Sequence, residues 1–280
     1  MVRCPNRVKA NADGATKFMT EDVETAPDGI AEVTDDRLLG GKVRLLQPAK
    51  GYRAGMDAAL LAAAIDARSG ERVLEAGCGA GAVLFQGAAR SPGATFVGVE
   101  RDLDALALAE RNVDLNDAGG RVAVRAGDVG RGFAGQGFLE PGEPPFDVAV
   151  ANPPFFDDPD ALRAPHPAKQ AAWIADAGLD AWTRFLLKAV REGGRVIMIH
   201  RAERLADLLA LLGATAGSFQ IRPIHPFADA PAKRVLVRAV KTGKAPLQLL
   251  PPLILHERGG DKHTAEADAI FRGEAALAWL

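Results

Sequence analysis

Four consecutive residues, Asn152-Pro153-Pro154-Phe155, are the stretch of this sequence best suited to chemistry. They follow an apolar run, residues 146–151, that is typical of a buried strand. Asn152 offers a carbonyl oxygen. Pro153 has no N–H, so we expect its carbonyl to stay outside a regular strand ladder. Two acceptors can therefore converge on one NH2 group, and the Phe155 ring can stack on the planar molecule that carries it.

A glycine-rich segment lies between an earlier apolar run and a helical pattern. It reads Glu75-Ala76-Gly77-Cys78-Gly79-Ala80-Gly81. Glycine lets the backbone turn tightly and lets a ligand approach the main chain. The acidic residue before the first glycine can orient the loop and the amino-acid end of a ligand. Glu75, Gly77, Gly79 and Gly81 are therefore candidate cofactor-binding residues.

Two further acidic residues follow the next two predicted strands. Glu100 closes the second strand, 23 residues after Gly77, where a carboxylate can accept hydrogen bonds from both hydroxyls of a ribose. Asp128 follows the third strand, where its carboxylate or the neighbouring backbone can meet an adenine edge. Together with their neighbours Arg101 and Val129, these residues complete the candidate cofactor site, to which Asn152 also belongs.

A dinucleotide site is an alternative for this loop. Gly77, Gly79 and Ala82 satisfy the pattern G-x-G-x-x-A, and an acidic residue about 20 positions later is expected for NAD. Three details favour S-adenosylmethionine instead: the acidic Glu75, the third glycine at Gly81, and the Asn-Pro-Pro-Phe segment, which hydride transfer does not need. Cys78 has no basic partner nearby in sequence and is interpreted as a small loop filler.

The order of elements predicts the fold class. From residue 72 the pattern alternates strand and helix, which indicates a parallel sheet covered by helices on both faces. Later strand-like segments indicate an antiparallel end. We predict an α/β, doubly wound, Rossmann-like, mostly parallel sheet. The predicted strands span 73–76, 95–99, 122–124, 146–151 and 195–199, with strand-like segments at 219–221, 235–237 and 249–255. One predicted helix follows the glycine-rich segment and ends at about residue 90. The other predicted helices span 103–115, 179–190 and 205–212.

The N-terminal residues are predicted to form an extension that precedes this sheet in sequence. Residues 1–35 are polar and aperiodic, so we expect a mobile tail, with one domain over 36–280. Residues 38–45 predict a small hairpin with a Gly-Gly turn. Asp57 is a good N-cap for a helix that continues to residue 65.

Composition limits the class of protein. Hydrophobic residues make up 48% of the 280 residues and charged residues 25%, as in soluble globular proteins. No apolar run reaches the roughly 18 residues of a membrane span, and no signal-peptide core follows the basic start. The two cysteines, Cys4 and Cys78, form no disulfide framework, and no Cys/His cluster has zinc spacing. We expect a cytoplasmic protein without a metal, and we favour a monomer.

The net charge of −2 is unevenly distributed. Residues 71–194 hold 12 Lys and Arg against 18 Asp and Glu, whereas residues 195–280 hold 12 against 8. This basic second half is a weak indication of a phosphate-facing surface, and a solvated strand edge explains it equally well.

The chain resembles the class I S-adenosylmethionine-dependent methyltransferases, and its Asn-Pro-Pro-Phe segment places it near their amino-methylating group. Over about 36–280 it is similar to the bacterial tRNA adenine-N6 methyltransferases, which modify the adenine beside the anticodon of a valine tRNA. The similarity is carried by residues 57–61, 152–156 and 233–237. It implies a seven-stranded sheet, a cofactor site around the glycine loop and a target base at 152–155. Phe155 occupies the position at which many relatives have Tyr. Its ring can still stack on a base, but it has no hydroxyl group with which to form a hydrogen bond.

The resemblance indicates the type of nitrogen atom that is methylated more specifically than it indicates the molecule that carries this atom. The same tetrapeptide, or its Tyr variant, occurs in rRNA guanine-N2 methyltransferases and in enzymes that methylate a glutamine amide of release factors. A non-catalytic RNA-binding module on the same fold is an alternative of another class. With tRNA as partner, the candidate RNA contacts are Lys50, Arg53, Arg163, His166, Lys169, Lys233 and Arg234.

Overall fold

The apolar runs of the sequence form the centre of a large, mostly parallel sheet. The computed structural model describes residues 32–50, 53–137, 139, 142–154, 178–260 and 262–279. Within these residues the sheet has nine strands. They are β3 (Arg72–Ala76), β4 (Thr95–Glu100), β5 (Val122–Ala126), β6 (Phe146–Ala151), β7 (Val190–Arg201), β8 (Ala216–His225), β9 (Arg234–Lys241), β10 (Gln248–Leu249) and β11 (Leu253–Ile254).

A separate hairpin precedes this sheet. Its strands β1 (Val33–Leu38) and β2 (Val43–Pro48) pair antiparallel around a short 3-10 turn, Leu39–Gly41. The first strand begins at Val33, inside the segment for which the sequence predicts a mobile tail, and residues 1–31 lie outside the described residues. The predicted hairpin is therefore present, and it is longer than residues 38–45.

Six helices lie within the described residues. They are α1 (Met56–Ala63), α2 (Ala82–Arg90), α3 (Leu103–Leu115), α4 (Leu179–Ala189), α5 (Leu205–Leu212) and α6 (Ala265–Arg272). Gly55 is the N-cap of α1, with no side-chain cap, so the prediction that Asp57 caps this helix is wrong. None of the described helices combines the length and the hydropathy needed to cross a membrane.

The strand order confirms the predicted doubly wound fold. It runs β10-β8-β9-β7-β6-β3-β4-β5, with β11 also on β8. Strand β9 is antiparallel to both β7 and β8, whereas β3 to β7 pair parallel with one another. The seven longer strands of the described sheet match the number that the resemblance implies, and the two others are two-residue additions at the edge. The order reverses at β3, which has β4 on one side and β6 on the other, and ligands of open α/β sheets bind beside such a reversal.

Two hydrophobic cores cover the two faces of the sheet. Successive residues of β7 show the division, since Ile197 joins the core under α1 and α2 while Met198 joins the core under α4 and α5. Both side chains are completely buried. This alternation follows from the two-residue period of a strand, and burial on both faces explains why the central strands are continuously apolar in sequence.

Strand ends differ most from the predictions. Strand β7 begins at Val190 rather than 195, and its pairing with β6 is irregular between Phe146 and Val148. Strand β8 covers Ala216–His225, whereas only 219–221 were predicted, because Gly217 and Ser218 interrupt its apolar pattern. The sequence pattern does not predict this part of the strand, because pairing with the neighbouring strands, and not its own composition, stabilises it.

A buried arginine ties β7 to the loop that precedes β3. The Arg195 side chain is only 8% exposed and contacts Asp66 at 3.0 Å and Glu71 at 3.1 Å. Arg238, on the neighbouring β9, contacts the other oxygen of Asp66 at 3.0 Å. Because three of these four groups are largely shielded from water, removal of one partner leaves uncompensated buried charge.

We expect Arg195→Met to lower the free energy of unfolding by about 3 kcal/mol, because Glu71 and Asp66 lose their shared cation. Urea unfolding followed by circular dichroism measures this change. The control is Arg191→Met, whose ion pair with Asp147 spans 2.6 Å and is nearly half exposed. An exposed pair contributes at most about 1 kcal/mol. Equal losses in the two variants would contradict the assigned importance of the buried network.

The end of β7 also buries a histidine. His200 is 4% exposed. Burial lowers its pKa from 6.5 to about 4, and the positive charges of Arg234 and Arg201 act in the same direction. The folded protein therefore holds this imidazole neutral over a pH range in which the unfolded chain binds a proton there.

We expect stability to fall as the pH falls from about 6.5 to 4, because only the unfolded state gains the proton of His200 in that range. The contribution of this residue is about 3 kcal/mol over the whole range. Denaturant unfolding at several pH values should show a shallower dependence for His200→Gln than for the wild type. Parallel curves for the two proteins would exclude the buried histidine as a source of the pH dependence.

Candidate functional site

Strand pairing brings the two sequence motifs together. In the parallel ladder between β3 and β6, Ala76 lies opposite Ala151. The next residues, Gly77 and Asn152, therefore leave the sheet side by side at its carboxyl edge. This is the place where the strand order reverses, so the glycine loop and the Asn-Pro-Pro segment share one crevice.

The glycine loop has a backbone that needs glycine. Gly77, Gly79 and Gly81 all have positive φ, at 66°, 54° and 94°. A Cβ on Gly77 would lie 2.4 Å from Cη2 of Trp182, whereas no atom lies within 4 Å of a Cβ on Gly79. The loop is therefore packed from below at its first glycine and open at its second, where a ligand can approach the main chain.

Glu100 fastens this loop to the end of β4. Its Oε2 accepts a hydrogen bond from the Gly79 N–H at 2.8 Å. Its Oε1 accepts from the backbone N–H groups of Arg101 and Asp102 at 2.9 and 2.8 Å. A carboxylate has about four lone-pair positions, so these three bonds leave room for a ligand hydroxyl. The group orients the loop and has one acceptor position left, which fits one ribose hydroxyl rather than the two predicted.

Asp128 is held by a residue that the sequence did not single out. Gln136 accepts from the Asp128 N–H at 2.7 Å and donates to the Asp128 carbonyl at 2.8 Å. The carboxylate accepts from the Gly130 N–H at 2.8 Å. Gln136 therefore occupies both main-chain groups of Asp128, and the candidates for an adenine edge are the carboxylate and the backbone of Val129. Nothing in the sequence indicated this role of Gln136, because the residue lies in a Gly-rich loop at a distance from the strand.

Glu75 is buried beneath the loop. Glu75 is 3% exposed, and its Oε2 has no hydrogen-bond partner among the described residues. Burial raises the pKa of this carboxyl well above its usual value, and the negative charge of Glu100 raises it further. An unpaired acceptor in an apolar setting is costly unless a ligand completes it. The position suits a cationic group of a ligand.

Cys78 has the structural role that its surroundings in sequence indicated. It is 6% exposed, and a Cβ on Gly98 of β4 would lie 2.7 Å from its sulfur. Burial, together with the carboxyl groups of Glu75 and Glu100, raises the pKa of the thiol well above its usual value. A protonated, enclosed thiol is a poor nucleophile, and the side chain fills space between the loop and the sheet.

The Asn-Pro-Pro segment presents an acceptor that the protein does not use. Oδ1 of Asn152 is buried and has no hydrogen-bond partner among the described residues. Pro153 is buried and Pro154 half-buried. Most buried polar atoms in proteins are paired, so an unpaired amide oxygen in a crevice indicates a ligand contact. Phe155, Arg163, His166 and Lys169 lie outside the described residues.

Trp182, on α4, closes the floor of the same crevice. The sequence indicated core packing for this residue, and at 6% exposure the structure confirms it. Its ring lies against Gly77, with Phe185 and Leu186 in the same core. Nε1 is nevertheless buried without a hydrogen-bond partner in the described part of the chain. Sequence alone could not show this, because the neighbours of the indole come from another element.

The predicted RNA contacts are partly engaged elsewhere. Arg53 donates to Asp36 and to the Pro48 carbonyl, which joins it to the N-terminal hairpin. Arg234 donates to Asp57 of α1 at 2.9 Å.

The two lysines of that set that lie in the described residues are more accessible. Lys50 is 90% exposed with its amino group 3.7 Å from Glu32, and Lys233 is exposed. Strand pairing sets Arg201, which the sequence analysis did not name, opposite Arg234. No cluster of three or more His, Cys, Asp or Glu able to hold a metal occurs in the ranges that the structure describes.

We expect Gly77→Ala to lower the free energy of unfolding by about 3 kcal/mol, because positive φ costs about 1–2 kcal/mol and the new methyl group also displaces an indole. The near-ultraviolet circular dichroism should change with the tryptophan environment. Gly79→Ala is the control, since it has the same backbone strain but open space, and should cost only about 1–2 kcal/mol. Equal losses and an unchanged spectrum would contradict the contact between Gly77 and Trp182.

Comparison with known proteins agrees with this geometry. A family model described as "Methyltransferase small domain" matches residues 53–166. A tRNA1(Val) (adenine(37)-N6)-methyltransferase of Trichodesmium erythraeum is 26% identical over 202 residues, 70% of this chain and 80% of the relative. A release factor glutamine methyltransferase of Chlorobaculum tepidum is 25% identical over 169 residues, 58% of this chain and 56% of the relative. The chain thus spans little more than half of that second protein.

A solved structure extends the similarity to most of the chain. The crystal structure of a predicted O-methyltransferase, protein Atu636 from Agrobacterium tumefaciens, has a TM-score of 0.65 and 30% identity. The match covers 80% of this chain and 99% of that protein.

The polar groups of the crevice fit the parts of S-adenosylmethionine. Glu100 suits a ribose hydroxyl, Asp128 with Val129 the adenine, and the buried acceptor of Glu75 the ammonium group. The open side of Gly79 leaves room for the ligand to lie on the main chain. From the similarity to a whole solved protein, together with the partial family match and this fit, the chain belongs to the S-adenosylmethionine-dependent methyltransferases.

Proposed function

We propose that this protein methylates an exocyclic amino nitrogen, N6 of an adenine in tRNA near the anticodon. The observation that carries the proposal is the buried, unpartnered Oδ1 of Asn152 beside the glycine loop. An amide oxygen in that position accepts a hydrogen bond from a substrate N–H. The carbonyl of the buried Pro153 follows it directly and supplies the second acceptor.

Two acceptors match an amino group better than a hydroxyl group. An NH2 group has two hydrogens, so Asn152 and Pro153 can each take one while the nitrogen lone pair stays available for the methyl group. A hydroxyl has one hydrogen and would leave one acceptor unpaired in a buried site, which costs about 1–3 kcal/mol. The donor and acceptor set therefore favours nitrogen as the methylated atom.

The protein contributes orientation rather than strong acid–base chemistry. S-adenosylmethionine supplies an electrophilic methyl group on a positively charged sulfur. The lone pair of an adenine amino group is delocalised into the ring, so hydrogen bonds to Asn152 and Pro153 favour a more pyramidal nitrogen directed at the reaction centre. Orientation of this kind can contribute several kcal/mol. A stacking residue at Phe155 would hold the everted base, a contact worth about 1–3 kcal/mol.

The similarity to enzymes named for tRNA supports tRNA as the acceptor. Positive side chains near the crevice give modest further support. Lys233 is exposed at the start of β9, beside the end of β7. It lies at the carboxyl edge that carries Asn152, where an extruded nucleotide would bring its phosphates.

A glutamine amide of a protein is the second candidate acceptor. It also presents an NH2 group on a planar unit, so the same two acceptors suit it. The similarity to a release factor glutamine methyltransferase favours it independently. An rRNA guanine is a third acceptor that satisfies the same geometry. A non-catalytic RNA-binding module is disfavoured, because such a module has no use for unpaired groups at Glu75 and Asn152.

A methyl-transfer assay distinguishes these acceptors. The purified protein is mixed with S-adenosylmethionine carrying a labelled methyl group and, separately, with tRNA, rRNA or release factor from cells lacking the corresponding modification. We expect label in tRNA, and mass spectrometry of the digested nucleosides should identify N6-methyladenosine. Label only in release factor or rRNA would replace the tRNA proposal, and no label in any fraction would refute methylation of these acceptors.

We expect Asn152→Ala to lower kcat by about 100-fold, because the amino group loses the acceptor that orients it. Affinity for S-adenosylhomocysteine, measured by calorimetry, should stay within about threefold of the wild type. The comparison of turnover with cofactor binding is the internal control. Equal losses in both would show that Asn152 holds the cofactor rather than the acceptor.

A further inference from the structure

One buried donor in the crevice has no role in the chemistry described so far. Trp182 is 6% exposed, and its Nε1 has no hydrogen-bond partner in the described residues. The six-membered edge of its ring touches Gly77, since a Cβ there would lie 2.4 Å from Cη2 and 3.0 Å from Cζ3. An unpaired buried N–H is unfavourable, and phenylalanine in the same place would avoid that cost.

The other described tryptophan shows how this fold treats an indole that only packs. Trp279 is partly buried against the core, and its Nε1 donates to the carbonyl of Ala64 at 2.7 Å. The fold thus pairs one indole N–H with its own backbone and leaves the other, on the ring that contacts Gly77, unpaired among the described residues. This contrast indicates that the partner of Trp182 is a ligand.

The order of candidate groups along the sheet shows which end of the cofactor lies there. Adjacent strands β5, β4, β3 and β6 carry, in that order, Asp128, Glu100, Gly77 and Asn152. With adenine at Asp128 and ribose at Glu100, the amino-acid end of the cofactor extends over Gly77. This step rests on the proposed cofactor contacts and not on the identity of the methyl acceptor.

Two unpaired groups of opposite kind flank Gly77. Glu75 provides a carboxyl on the side of α2, where the backbone of Leu84 hydrogen-bonds it. Trp182 provides an N–H on the side of α4. An amino acid carries an ammonium group, which needs an acceptor, and a carboxylate, which needs a donor. The pair is complementary to that end of the cofactor and to no other part of it.

We propose that the Trp182 indole N–H donates a hydrogen bond to the α-carboxylate of the methionine end of the cofactor. The residue then has two tasks, to support Gly77 from below and to select ligands that carry the carboxylate. Asn152 remains free to accept from the substrate amino group. Trp182 is thus a specificity-determining residue of the cofactor site.

Calorimetry with two ligands tests this role. S-adenosylhomocysteine carries the amino acid, whereas 5′-methylthioadenosine keeps the adenine, ribose and sulfur but lacks the amino acid. Trp182→Phe preserves the ring and removes the N–H. We expect this variant to bind S-adenosylhomocysteine about tenfold more weakly and 5′-methylthioadenosine within about twofold of the wild type.

Trp279→Phe is the matched control. It removes the indole N–H that bonds Ala64, at a place whose contacts are with α1 and the C-terminal segment rather than with the glycine loop. We expect lower stability and unchanged affinity for both ligands. Thermal unfolding of all three proteins should confirm that each is folded at the temperature of the binding experiment.

Two results would overturn the proposal. Equal weakening of both ligands by Trp182→Phe would show that the ring only packs. Unchanged affinity for both ligands would show that the N–H does not face the cofactor. The experiment needs no methyl acceptor, so a wrong acceptor in the proposed function leaves its outcome unaffected.

Discussion

The parallel pairing of β3 with β6 is the interaction on which the site depends. It sets Ala76 opposite Ala151, so Gly77 and Asn152 emerge together although 75 positions separate them in sequence. Parallel pairing requires a long crossover, and helices α2 and α3 with strands β4 and β5 supply it. The crevice is thus a property of the sheet order rather than of either motif alone.

Three buried polar atoms without a partner in the described part of the chain lie where the sheet order reverses. Glu75, Asn152 and Trp182 each bury a side-chain atom that has no hydrogen-bond partner among the described residues. Outside the crevice, Nε of Arg90 and Nδ1 of His263 are also buried without a partner among the described residues, whereas Arg195 is paired with Glu71 and Asp66. Buried polar atoms without hydrogen-bond partners lower the stability of the fold. They are retained where a ligand supplies the missing hydrogen bond. The apo protein is therefore organised for binding at the expense of its own stability.

The sequence predicts the architecture well because strand and helix periods are local. The alternation from residue 72, the glycine loop and the Asn-Pro-Pro segment are all visible without a structure. Strand ends are less predictable, as β8 shows, because pairing with β9 holds Gly217 in a strand that its composition does not indicate. The clamp of Gln136 on Asp128 and the unpaired indole of Trp182 are invisible in sequence, since both depend on contacts made across the fold.

Charge pairing also decides how the crevice can recognise its acceptor. Arg53 joins the segment before α1 to the hairpin through Asp36, and Arg234 joins α1 to β9 through Asp57, so much of their charge is neutralised within the fold. A site with this arrangement gains less from phosphate attraction than a strongly basic surface does. Under the proposed function, discrimination between methyl acceptors comes from the shape of the crevice and from the carbonyl oxygens of Asn152 and Pro153. The same crevice therefore suits any planar group that bears an NH2.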